Sequence, residues 1–133
     1  MHRLQVFAVV AASVLLSGLS LAYGQFEKSP QYEPRAVTEL VDQVHSDLNR
    51  AYGSWHLSND ERDRLNHAEK QLREFAQKWE NRKFDKGQLD DAIGSIQHVL
   101  DNNRLEGRDR NAIDDDVSRL RNMREAYDHH EIR

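Results

Sequence analysis

The side chains that could do chemistry in this chain are its histidines, its clustered acids and its arginines. Of seven histidines, six lie beyond the first two dozen residues: His45, His56, His67, His98, His129 and His130. A metal ion held on a helical face needs ligands three or four residues apart. Asp42 and His45 have such a step, and Asp91, Ser95 and His98 fall on one face of a helix. Neither set forms HExxH or a Glu-x-x-His pair repeated on two helices, so both read as surface histidines beside surface acids. His129 and His130, flanked by Asp128 and Glu131, could take a divalent cation weakly. A terminal tail lacks the rigidity of a selective site.

The acids give no better constellation. Asp114, Asp115 and Asp116 are consecutive on one helix, so their side chains point in different directions and cannot converge on one ion. Residues 101–107 begin like a calcium loop, but Leu105 stands where an oxygen ligand is required, Glu106 stands at the glycine position, and the twelfth residue is Ala112. There is no glycine-rich phosphate loop, no GxSxG and no distinctive Ser/His/Asp set. The expectation is a protein that is not an enzyme, with no catalytic residue, no cofactor and no metal.

Arginines crowd two segments: Arg62, Arg64 and Arg73 in one, Arg108, Arg110, Arg119, Arg121 and Arg124 in the other. The guanidinium favours planar anionic partners. With acids this abundant, pairing between helices is the expected use, and an anionic ligand or partner surface is the functional alternative. Trp55, Trp79 and Tyr127 are core or core-rim residues by the same reasoning, with Trp55 the candidate partner contact if it lies off the apolar stripe.

These residues must be positioned by helices. Leu89, Ala92, Ile93, Ile96, Val99 and Leu100 recur in steps of three and four, as do Ile113, Val117, Leu120, Met123 and Tyr127. Asp85 is placed to cap the first of these helices, with Gln88 reaching back and Phe84 stapled onto Leu89. Two earlier helices follow the same plan. One starts at Pro34 or Arg35 and buries Val37, Leu40, Val41, Val44, Leu48, Tyr52 and Trp55. The other opens with a capping box, Ser58 to Glu61, and buries Leu65, Ala68, Leu72, Phe75, Ala76 and Trp79. Shifted by 48, Leu65, Leu72, Phe75 and Trp79 fall on Ile113, Leu120, Met123 and Tyr127; shifted by 52, Val37, Val41 and Leu48 fall on Leu89, Ile93 and Leu100. This is either a weak duplication of a helical hairpin or the ordinary alignability of amphipathic helices.

Short connections favour antiparallel neighbours. The expected fold is all-α, an up-down antiparallel four-helix bundle of two helical hairpins over residues 35–128, preceded by an N-terminal signal peptide helix. Residues 25–34, with both prolines, read as a flexible arm, and residues 129–133 as a frayed tail.

Residues 1–24 have the layout of an export signal. Arg3 is followed by an apolar run over residues 4–16 and a small-residue region, with Ala22 and Gly24 at the positions that signal peptidase reads. Cleavage before Gln25 is expected; the alternative is an uncleaved anchor. Removing residues 1–24 takes away one basic residue, leaving 18 against 23 acidic and a net charge of −5. That balance argues against general nucleic-acid binding. The absence of cysteine excludes disulfides and thiol chemistry. The expected protein is periplasmic or secreted, a non-enzymatic binding or structural module of the cell envelope. Its partner would be another protein or a second copy, with no nucleic acid and no membrane beyond the signal segment. The alternatives are a dimerising periplasmic chaperone-like or stress protein, which would lack the LTxxQ-type motifs of small envelope chaperones, and a metal-binding helical bundle using His45 or His98.

Overall fold

The computed structural model describes residues 32–105 and 107–132. The expected signal segment, and all of the expected arm before Tyr32, lie outside the described residues. What is described is all-helical: α1 (Pro34–Tyr52), α2 (Asn59–Glu80), α3 (Lys86–Asn102) and α4 (Gly107–Asp128). α2 packs on α1 and α3, and α4 packs on α3 and α1, so the four form a helical bundle around one core.

Each helix starts for a local reason. α1 begins at its proline, whose missing N–H is no loss in a first turn, and Val37 N–H donates to the Glu33 carbonyl at 3.0 Å. α2 has its full capping box: Glu61 N–H donates to Ser58 Oγ at 3.2 Å, and Ser58 N–H donates to Glu61 Oε1 at 3.1 Å. Ser58→Ala removes the acceptor for one orphan N–H and is expected to cost about 1 kcal/mol, read as a lower urea midpoint with an unchanged slope. α3 is capped by Asp85, which accepts from Gln88 N–H at 3.1 Å. The Gln88 side chain does not reach back. Its Nε2 makes a charge-assisted bond to the Glu74 carboxylate on α2 at 2.7 Å, and its Oε1 receives no donor.

α2 and α4 end alike. Arg82 N–H donates to the Trp79 carbonyl and Lys83 N–H to that of Lys78; His130 N–H donates to Tyr127 and Glu131 N–H to Ala126. Arg82 (φ 60°) and His130 (φ 59°) are both left-handed, which completes the same C-terminal motif in each. Residue 130 is residue 82 shifted by 48, and the next apolar residues, Phe84 and Ile132, are related by the same shift. Where a frayed tail is expected, Ile132 is thus brought back onto the core at 8% exposure.

The apolar stripes close on one another. Leu48, Leu65, Phe75, Leu89, Ile96, Leu100, Ile113 and Leu120 are all 0% exposed. Trp55 is buried too, although it lies in the connection after α1. Tyr127 departs from its expected place in the stripe: it is 36% exposed, because Ala126 takes the inward position at the end of α4. Its ring stacks on Phe84 at 4.1 Å, and Phe84 in turn meets Phe75 and Trp79 edge-on.

Candidate functional site at the α1–α4 seam

The core stripes of α1 and α4 face inward, although Leu40, expected to be buried, is only half-buried, and two carboxyl groups are buried with those stripes. Asp47 is 3% exposed and Asp116 is 2% exposed. Helical spacing puts them there. Asp47 is three residues after Val44 and four before Ala51; Asp116 is three after Ile113 and four before Leu120.

Burying two acids together requires a proton or compensating donors. Asp47 has the donors. Gln43 Nε2 donates to its Oδ1 at 3.0 Å, and Arg50 Nη2 also binds that oxygen. Burial by itself raises Asp47, but the hydrogen bonds from Asp116 and Gln43, with the charges of Arg50 and Arg119, outweigh it and hold the group below the usual carboxylate range. Asp116 goes the other way. Burial, then the hydrogen bond to Asp47 and its negative charge, push it up to about 8. Its Oδ2 receives no hydrogen bond, as suits a neutral acid and not an ionised one. At neutral pH the pair therefore holds one proton, with Asp47 as the acceptor.

Above this pair the surface opens. A groove of about 500 Å³ is lined by Tyr32, Ala36, Glu39, Leu40 and Gln43 from the α1 side and Arg119 and Asn122 from α4. Gln43 and Arg119 belong to both features: each lines the groove and acts on Asp47. The lining mixes apolar surface with amides, one cation and one carboxylate.

The residues singled out in the sequence are dispersed. Asp114 pairs with Arg110 at 3.6 Å, Asp115 pairs with Arg119 at 3.0 Å, and Asp116 turns inward, so the three acids do diverge. His45 does not join Asp42. Its Nδ1 lies 3.2 Å from Glu69 Oε2 across on α2, close to it but not aligned as a hydrogen bond. Glu69 also takes the Tyr52 hydroxyl at 3.5 Å; burial and that carboxylate push Tyr52 up to about 12. His98 is exposed on α3, and Asn102 donates to its carbonyl. Among the described residues, no three His, Cys, Asp or Glu side chains are grouped to hold a metal ion. Arg124 binds Asp90 and Asp128, Arg82 binds Glu33, and Arg110 donates to the Leu100 carbonyl at 3.2 Å.

Asp47 and Asp116 are the residues that reading for motifs misses. The signal lay in the repeat. A shift of 52 carries Asp47 onto Val99, and a shift of 48 carries Ala68 onto Asp116. Val99 and Ala68 are both 0% exposed. The acids thus stand at positions that are apolar in the companion helices. No protein-family model, curated protein or solved structure matches the chain.

Proposed function

We propose that this chain is an exported, non-enzymatic binding module of the cell envelope, and that it binds through the groove between α1 and α4. What supports this is the groove itself, an open surface with apolar, amide, cationic and carboxylate groups side by side on a body whose core stripes are turned inward. Such a mixture suits an extended peptide segment, which offers carbonyls to Arg119 and Asn122 and side chains to Ala36 and Leu40. Export is supported by the basic start, apolar run and small-residue region of residues 1–24. Among the described residues no helix is long and apolar enough to cross a membrane.

In this reading the helices run alternately up and down as two hairpins. Cross-helix pairs support that order: Arg82 with Glu33 ties the end of α2 to the start of α1, Lys86 with Asp128 ties the start of α3 to the end of α4, and Arg50 lies 3.9 Å from Asp109.

The test uses the chain's lack of cysteine, which makes a single introduced thiol unique. A photoreactive label is placed at Ala36→Cys in the groove, or at Lys70→Cys on the exposed side of α2, in otherwise native protein made in cells. The expected result is protein outside the cytoplasm with a mature N-terminus at Gln25, and adducts from position 36 that exceed those from position 70. Unprocessed protein in the cytoplasm, or equal labelling from the two positions, overturns the proposal.

A further inference from the structure

Two acids share the α1–α4 seam at positions whose shifted counterparts, on α3 and α2, are Val99 and Ala68. Replacing a buried ionic or acid group by packed apolar side chains is often neutral or stabilising, so the fold has no need of this pair. We propose that Asp47 and Asp116 form a proton-operated latch: the seam is closed while the two carboxyls hold one proton between them, and it loosens when that proton leaves.

The geometry supplies each part. Gln43 and Arg50 both bind Oδ1 of Asp47, which favours its ionised form and leaves it able to accept from Asp116. Asp116 has an oxygen that no donor reaches. Ionising it places a second negative charge against Asp47 within a seam from which water is nearly absent. The other charges acting on the pair come from the same two helices: Arg119 favours ionisation of Asp116, and Asp115 opposes it. No charge from α2 or α3 is among the largest influences on either acid. Glu69 of α2 takes His45 and Tyr52, and Asp90 of α3 takes Arg124. Arg119 and Gln43 also line the groove, so loosening the seam changes the groove above it. The latch does not depend on what the groove binds.

The sign follows from proton counting. Asp116 titrates higher in the folded chain than in the unfolded one, so the folded state holds the extra proton from the ordinary carboxylate range up to about 8. Its contribution to stability is complete in acid and is lost as pH rises through that window, with the unfolding constant rising by up to about tenfold per pH unit. Asp47, Glu61, Asp85 and Asp128 are held below their usual values, so their contributions are lost only on going to more acid solution. The two effects occupy different ranges of pH.

The experiment is urea unfolding of the purified protein between about pH 5 and about pH 8, for the wild type, for Asp116→Asn, and for Asp47→Val combined with Asp116→Ala. The double variant transplants the apolar residues found at the counterpart positions on α3 and α2. The Asp116 carboxyl carbon is also followed by NMR titration in the wild type. The expected result is an unfolding constant that rises with pH at least roughly tenfold more in the wild type than in either variant, and an Asp116 midpoint well above the usual carboxylate range. An Asp116 midpoint at an ordinary carboxylate value, or variants that keep the wild-type pH dependence, overturns the latch. Should Asp116→Asn fail to fold, the titration and the double variant decide.

Discussion

Phe75→Ala lowers the free energy of unfolding by about 3–5 kcal/mol, a large part of the roughly 5–15 kcal/mol that holds a domain of this kind together. Phe75 is 0% exposed, and its ring meets Phe84 edge-on with centroids 4.9 Å apart. Truncation removes the buried ring and leaves a hollow that helices on either side cannot fill without moving. The loss does not stop at one side chain, since Phe84 is the ring on which Trp79 and Tyr127 also pack. Phe75→Leu is the control: it stays apolar and fills most of the space, and is expected to cost less than about 1.5 kcal/mol. Urea unfolding at one pH measures both. Equal effects of Ala and Leu would show that the site tolerates a void, and that the packing described for it is wrong.

Trp79→Ala should rival it, at about 3–5 kcal/mol, for a different reason. Trp79 is 2% exposed, and its indole N–H donates to the Tyr32 carbonyl at 2.8 Å, fastening the chain just before α1 to the end of α2. Arg82 lies over the indole ring at 5.3 Å and reaches Glu33 as well. Trp79→Phe separates the two roles. It keeps an aromatic ring in the core and strands the carbonyl, for an expected loss of about 1–2 kcal/mol. Amide exchange at Val37, whose N–H caps onto Glu33, reports whether the start of α1 frays in step. Full protection of that amide in Trp79→Ala would mean that the indole does not fasten α1.

Much of this architecture was legible in the residues. Apolar steps of three and four placed all four helices, and Ser58, Asp85 and Pro34 marked three starts within a residue of where they lie. Such signals are local: one turn of helix contains both donor and acceptor. The errors fell where a side chain had a choice of partner outside its own helix. Gln88 goes to Glu74, His45 goes to Glu69, and Tyr127 turns out over Phe84 while Ala126 turns in. The seam acids were hidden for a related reason. Asp47 sits beside Leu48, and Asp116 beside Val117 at the end of an acidic run, and an acid adjacent to an apolar stripe normally marks its edge. Their spacing from Val44, Ala51, Ile113 and Leu120, together with the comparison of Asp47 with Val99 and of Asp116 with Ala68, marks those positions as interior.

The matched stops at Arg82 and His130 give the two hairpins the same finish, yet each hairpin lends one acid to a single flank of the bundle, Asp47 from the first and Asp116 from the second. The middle helices carry Ala68 and Val99 instead and keep a greasy seal that guarantees shape. Responsiveness is thereby confined to the flank where the first and last helices meet, and neither hairpin alone would own it.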